Sequence, residues 1–373
     1  MKRITIIVLA ICMLPFFSCS AIIESQMEHL GESLEELGDN LDDMGDYLDD
    51  MGDDLDDLND DIDDLNDDID DLSDELEESG SYSKSTFYIE SNNKLKSRIK
   101  ISKNDKLKTR KFNITDFSGL NVGSSFVIVM CDTVDQVTIH INEKLDNYLS
   151  VKVKNSILNI SLERIKGITT KDNAKCGYIY LPYNTKLCKF SLSGIASFAT
   201  ALPLNASSFV VDLSGASSFK GKVNCTNFSA DLSGTARCRT DVKCKSLDAD
   251  LSGASRLESN IDCSSANVDL SGTAKLKGNI KATSIQAGIS GASKIELAGN
   301  CDKATVDITG TGKLDCKKLH LKRISGDMSG ASSAIITCSD FIDMDLSGTS
   351  HLVYYGNPKT DIDASTATSV ERK

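Results

Sequence analysis

The chain has 373 residues, enough for more than one organised region and a sizeable core. Its formal net charge of −14 hides a split: residues 24–79 hold 27 Asp and Glu and no Lys or Arg, whereas from residue 80 onward Lys and Arg outnumber Asp and Glu by 39 to 28. A uniformly charged body is thereby excluded. With no Trp and only four His, the chain is also poor in the residues of sugar-stacking clefts and of nucleophile–base pairs.

The first twenty residues, "MKRITIIVLAICMLPFFSCS", pair a basic start at Lys2 and Arg3 with an apolar run from Ile4 to Phe17. That run is too short for a stable membrane span and reads as an export signal over residues 1–18. Its end, Ser18-Cys19, resembles a bacterial lipobox, which implies that Cys19 becomes the lipid-carrying first residue. Phe16-Phe17 departs from that pattern, where Leu and a small residue are commoner, and a secretory signal cut elsewhere is the alternative. No later apolar run is long enough for a transmembrane helix. The expected location is outside the cytoplasm, with a lipid anchor in the outer membrane and the body facing the cell surface or the periplasm.

Residues 19–83 form an acidic segment whose apolar residues step by four and three without error from Ile23 to Leu76. This is a heptad seam, with Leu34, Leu48 and Ile62 at a and Leu37, Met44 and Leu58 at d. As one helix, the heptad run from Ile23 to Leu76 within this stalk would be roughly 80 Å long at about 1.5 Å per residue. Nearly every other position is acidic, so identical helices would repel, yet a lone helix would leave its leucine stripe wet. The seam therefore calls for cover: self-association helped by divalent cations, a basic partner, or the chain's own basic body. A solvated spacer is the plain alternative. The run lacks the D-x-D-x-D-G loop of an EF-hand.

Residues 84–190 are strand-rich and alternating, as in "SSFVIVM" (124–130), and read as the opening coils of a β-rich body. From 191 to 373 one phrase returns nine times, as in "DLSGAS" at 212–217 and 250–255. Its glycines are Gly194, Gly215, Gly234, Gly253, Gly272, Gly291, Gly310, Gly330 and Gly348, spaced by 21, 19, 19, 19, 19, 19, 20 and 18. A period near twenty with no helical pattern inside it predicts an all-β fold, a parallel β-helix or β-solenoid of about nine coils.

Period-two alternation assigns the inward columns. Leu192, Leu213, Leu232 and their successors stand two before the glycine, Phe190, Val211 and Ala230 four before it, and Phe198, Phe219 and Cys238 four after it. The Ser-Gly pair makes the corner between strands, where a Cβ would be in the way. "DAST" (363–366) stands where "DLSG" would, as in a last, decayed coil.

Cys225, Cys244, Cys263 and Cys301 each follow a corner glycine by ten residues, with Ala282 in the missing place. An inward column of this kind favours free thiols, while a coil step of about 4.8 Å also permits disulfides between neighbours. No C-x-x-C and no adjacent His supports zinc.

Two outward columns carry charge. Asp212, Asp231, Asp250, Asp269, Asp307, Asp327 and Asp345 stand three before the glycine; Arg237, Arg256, Lys275, Lys294 and Lys313 stand three after it. A structural salt-bridge ladder across the corner is the plain expectation. The sharper ones are a ligand-facing basic ladder for anionic glycans and, weakly, cation binding at Asp212, Asp231, Asp250 and Asp269. No cofactor is expected.

These pieces in this order, "FSGLNVGSSFVIVM", "NEKLDNYLSVKVKNSILNISL", "YIYLPYNTKLCKFSLSGIASF", the "DLSGAS" series and "YYGNPK", resemble the head GIN domain family of bacterial surface proteins. That family is described as auto-transporter adhesins and is common in Bacteroidetes. The resemblance covers about residues 110–373 and implies a β-helix-like fold on a secreted or lipidated protein; it brings no catalytic residues. The expectation is a non-catalytic envelope lipoprotein whose solenoid head adheres to or binds a ligand such as a glycan. The alternative is a structural envelope component whose acidic stalk binds a basic partner or self-associates. A polysaccharide-acting β-helix enzyme is a distant third, because the outward positions form regular ladders rather than a cluster of unlike groups. Nucleic acid is set aside on export and on the lack of aromatic–basic interleaving.

Overall fold

The computed structural model describes residues 98–373; the export signal, Cys19 and the acidic heptad segment lie outside the described residues. Within 98–373 the short alternating runs form strands throughout, and one six-residue 3-10 turn, Glu143–Tyr148, breaks the pattern.

Each coil supplies two strands, one on either side of its corner. Around Gly215 these are Ser208–Leu213 and Ser218–Asn224. Both pair in parallel with their equivalents one coil on, Ser208 opposite Asn227 and Ser218 opposite Arg237. Repetition therefore builds two stacks, the first from strands before the corner and the second from strands after it. From Lys275 onward the back corner is only a bend, and single strands such as Lys275–Ile289 and Lys294–Ile308 run through from one stack into the other. Ten coils lie between Lys189 and Arg372, one more than the glycines count. The tenth turns at Ser365, whose N–H donates to the Leu346 carbonyl at 3.0 Å, so the "DAST" coil is real.

The three inward columns are buried, from Leu192 to Leu346 before the corner and from Phe198 to Leu314 after it, except at Gly326, which is half-buried. Each large side chain contributes about 1.5–3 kcal/mol through burial. In the first coils the filling is aromatic: Phe190, Phe198, Phe209, Phe219 and Phe228 interlock with ring centroids from 4.6 to 6.1 Å apart.

The corners explain the glycines. Gly253 has φ +66°, and a Cβ there would lie 2.8 Å from the Gly234 carbonyl oxygen. The same oxygen accepts the Ala254 N–H at 2.8 Å, so the backbones of successive corners touch directly. Hydroxyls alternate beside them. Thr235, Thr273 and Thr311 donate to the preceding glycine carbonyl at 3.1–3.4 Å. In the intervening coils a serine is buried one position later, at Ser217, Ser255 and Ser293. Ser217 donates to the Leu192 carbonyl at 3.1 Å.

The two spacings longer than 19 residues are bulges. Three residues, Thr200–Leu202, face Gly221 alone, which accounts for the spacing of 21. Cys316 and Lys317 face Leu297 alone, which accounts for the spacing of 20.

The opening region does not follow chain order. Gly119–Val122 and Phe126–Cys131 pair with Lys189–Leu192 and Ser197–Asn205 on one side. On their other side they pair with Ile157–Leu162 and Gly177–Pro182, so the later coil lies outermost. That outer coil is covered by antiparallel strands, Leu149–Lys154 on one stack and Val137–Asn142 on the other, with Leu107–Phe112 beyond. The edges at this end are thus closed to further strands of the coil type. Buried Asp146 pins Leu107–Phe112, accepting from Lys108 Nζ at 2.6 Å and Arg110 Nη2 at 2.7 Å. The Arg110 hydrogen bond is the main reason its carboxyl titrates below the usual range. Asp105 is held at about 2, chiefly by the Lys144 ammonium 2.8 Å away and then by the Ser102 N–H.

Candidate functional site

The two stacks share a geometry but not a charge. On the first stack, the outward residues of the four strands from Ser208 to Leu270 include Asp212, Asp231, Asp248, Asp250 and Asp269 and no Lys or Arg. On the second stack, the outward positions of the four strands from Ser218 to Lys281 hold nine cations and only three carboxylates, Asp241, Glu258 and Asp262. One coil therefore presents an acidic side and a basic side across a single corner.

The acidic side is a register column. Asp212, Asp231, Asp250 and Asp269 are successive Cα partners, followed by Gly288, then Asp307, Asp327 and Asp345. Hydroxyl and amide groups accompany it: Ser191 donates to Asp212 at 3.3 Å and Asn267 to Asp248 at 2.9 Å. The Asp250 carboxyl titrates above its ordinary value, first through burial and then through Asp248, Asp269 and Asp231. Gly288 leaves the row at the point where the Asp269 carboxylate leans over it. A shallow hollow of about 310 Å³ follows this column. Among the described residues no group of three or more His, Cys, Asp or Glu is placed to hold a metal ion.

The basic side carries four columns. Nearest the corner, Arg237, Arg256, Lys275, Lys294 and Lys313 occupy five consecutive coils in register, with Ser218 before them and Ser333 after. At about 4.8 Å per coil the row is roughly 19 Å long. Lys294 meets Glu296 at 3.3 Å. The second column mixes signs and pairs along the axis, Arg239 with Glu258 at 2.7 Å and Lys277 with Glu296 at 3.3 Å. The third is largely amide and acid: Asn260 donates to Asp241 at 2.8 Å and Asn279 to Asn260 at 3.0 Å. The fourth runs Asn224, Lys243, Asp262, Lys281, Asn300.

Between these columns lie two adjoining grooves of about 810 and 480 Å³, which share Lys222, Asp241 and Asn260. The Thr200–Leu202 bulge forms the lip of the larger one, held by Thr200 Oγ1 donating to the Met130 carbonyl at 3.2 Å. Its floor is low because small residues, Gly221, Thr240, Ser259 and Gly278, alternate with the long side chains. A Cβ at Gly278 would run into the Ser259 carbonyl. The arrangement is a shallow track along the axis, cationic overall, with hydrogen-bonding amides at fixed intervals.

The basic row stands in register over five consecutive coils, and the acidic row stands in register but is interrupted at Gly288. Arg239, Glu258, Asp241 and Asn260 were not among the predicted site residues, and the grooves depend on them. The usable signal was the continuation of each strand: five and seven residues after each glycine the side chains are again outward.

A family model described as "Putative auto-transporter adhesin, head GIN domain" matches residues 116–277 and 256–358. No curated protein matches the chain. Solved structures similar to it include a "putative adhesin" from Parabacteroides distasonis, 18% identical over 74% of this chain and 100% of that one, with a TM-score of 0.44. A "putative adhesin" from Parabacteroides merdae is 20% identical over 74% of this chain and 99% of its own, with a TM-score of 0.41. A "putative lipid binding protein" from Parabacteroides distasonis is 16% identical over 74% and 99%, with a TM-score of 0.44.

Proposed function

The chain belongs to the head GIN domain family, and on that premise we propose that it is a non-catalytic, surface-exposed adhesin-like module that binds an extended anionic polymer, such as an acidic glycan, along its basic side. The observation that supports this reading is the segregation of charge between two sides of the same coil. A structural salt-bridge lattice would balance the two signs on each side, whereas the basic side sets nine cations against three carboxylates. A recognition face needs one sign, repeated at the spacing of the ligand's own charges, with the other sign kept away. The track also runs with the axis, so each coil can meet one further unit of a linear ligand.

Export and lipid attachment at Cys19, with anchoring in the outer membrane, belong to the same proposal and rest on residues 1–19. The acidic segment is the proposed stalk, by which the module would self-associate or engage a basic envelope partner.

The test uses the full chain with dextran sulfate and neutral dextran as probes. Dextran sulfate should bind in low salt and weaken steeply as salt rises, and neutral dextran should not bind. Replacing Arg237, Arg256 and Lys275 together by Ala should lower affinity by roughly ten-fold, at about 0.5 kcal/mol per cation. Equal binding by the variant would remove the basic row from the proposal.

A further inference from the structure

Three of the described cysteines share one environment. Cys225, Cys244 and Cys263 directly follow Asn224, Lys243 and Asp262, which are Cα partners in successive coils. Their backbone N–H groups donate to the Lys243, Asp262 and Lys281 carbonyls, each at 2.9 Å, so the three are related by the same coil step. That step of about 4.8 Å falls inside the Cα separation of about 4.4–6.8 Å that a disulfide accepts. Cys244 stands between the other two, one coil step from each. The column then breaks: Ala282 takes the fourth place and pairs with Cys301 in the fifth. Cys301 lies about two coil steps from Cys263, beyond disulfide reach, and its thiol donates to the Lys303 carbonyl at 3.1 Å instead. Cys225 and Cys244 are half-buried, so reagents in solvent can reach the column from one end.

We infer that this column is an oxidation site in which Cys244 is the shared partner of two alternative disulfides, Cys225–Cys244 and Cys244–Cys263, and that the bond passes between them by internal exchange. The oxidant is a small-molecule or protein disulfide. The Cys244 thiolate attacks one of its sulfurs, forming a mixed disulfide and releasing one thiolate. The Cys225 or Cys263 thiolate then attacks the Cys244 sulfur, forming the intercoil disulfide and releasing the second thiolate. Two protein thiols lose two electrons and two protons, and the external disulfide becomes two thiols.

Exchange follows from the stacking. Thiol–disulfide exchange needs a thiolate to attack one sulfur while the leaving sulfur departs. A row of three sulfurs on one axis supplies attacker, centre and leaving group, with Cys244 in the middle. Interaction with its two neighbours lowers the Cys244 thiol below its ordinary value and raises those of Cys225 and Cys263.

The experiment incubates the reduced full chain with glutathione disulfide, caps remaining thiols with N-ethylmaleimide and maps the cysteines by mass spectrometry. Two of the three column thiols should become protected from capping, with both 225–244 and 244–263 linkages present and dithiothreitol restoring all three. Cys225→Ala should keep only 244–263, Cys263→Ala only 225–244, and Cys244→Ala should leave the column fully capped. Ala already stands in this column at position 282, so the fold accommodates it, and an unchanged circular dichroism spectrum confirms this for each variant. Complete capping of the unaltered chain, a glutathione adduct on Cys244 that never resolves, or a linkage to Cys301 would each overturn the proposal.

Discussion

The opening region, residues 98–187, and the coils from Lys189 onward are made of the same kind of strand, but they are held together differently. In the coils, most residues are packed against the residues one period before and after them. The inward columns and corner carbonyls repeat the same contact down the axis. The opening region has no such redundancy. Its order is crossed, its outer strands are antiparallel, and its last strand is fastened by particular ions such as Asp146 with Lys108 and Arg110. Even its corner differs: Ser124, with φ +67°, stands against Gly194 where the coils use glycine. Repetition distributes stability along a stack, whereas a cap concentrates it in a few unrepeated contacts.

The sharpest way to test the repeated side is to empty a column. Phe209→Ala removes a fully buried ring in contact with Phe190, Phe219 and Phe228, and should cost about 3–5 kcal/mol in urea unfolding. A loss below about 1 kcal/mol would mean that the coils tolerate gaps. Next comes the corner. Gly253→Ala adds a Cβ 2.8 Å from the Gly234 carbonyl at positive φ, and about 2–4 kcal/mol should be lost, visible as a lower melting temperature.

On the cap side, Asp146→Asn weakens three charge-assisted hydrogen bonds, one from Lys108 and two from Arg110, and should cost about 2 kcal/mol. Hydrogen exchange should quicken in Leu107–Phe112 and leave the coils unchanged; a uniform increase would argue against separate modes of support. The smallest change runs the other way. Asp250→Asn relieves a crowded carboxylate row and should stabilise the chain by about 0.5–1 kcal/mol at neutral pH.

Acid should separate the two regions directly. Asp105 and Asp146 titrate lower in the folded chain than the ordinary value of 3.8, so their contribution is complete above that value and is lost as pH falls toward the folded one, about 2 for Asp105. Asp250 titrates higher in the folded chain, so its strain is present at neutral pH and eases as pH falls through the raised value toward 3.8. Hydrogen exchange followed from about pH 7 down to about pH 3 should show the cap loosening while the acidic side of the coils does not. Parallel loosening of both would contradict these assignments.

The regular part of the fold was legible because period and alternation act together. Once the glycines set the phase, Leu251 or Phe219 can only face inward. The spacings of 21 and 20 also carried information, since they mark the bulges at Thr200–Leu202 and Cys316–Lys317. The cap was legible as strands but not as an arrangement. No local pattern shows that Ile157–Leu162 lies outside Gly119–Val122, because the pairing joins segments whose sequences share no repeat. Cys225 and Cys244 were expected inside and are half-buried, because they sit where the back corner turns. For the charged rows the residues and their sides of the corner were visible, but not the further outward columns at Arg239, Asp241, Glu258 and Asn260, and the grooves follow only from those.

The alternation of corner hydroxyls gives the coils a parity. A coil with a threonine bonded outside, as at Thr235 and Thr273, is followed by one with a serine buried inside, as at Ser255 and Ser293. Each kind therefore rests on the other, and the true translational unit of this stretch is a pair of coils, roughly 9.6 Å along the axis. Removing one coil would set two like corners against each other, while removing two would restore the sequence of contacts. Lengthening or shortening this head without injury should therefore proceed by twos.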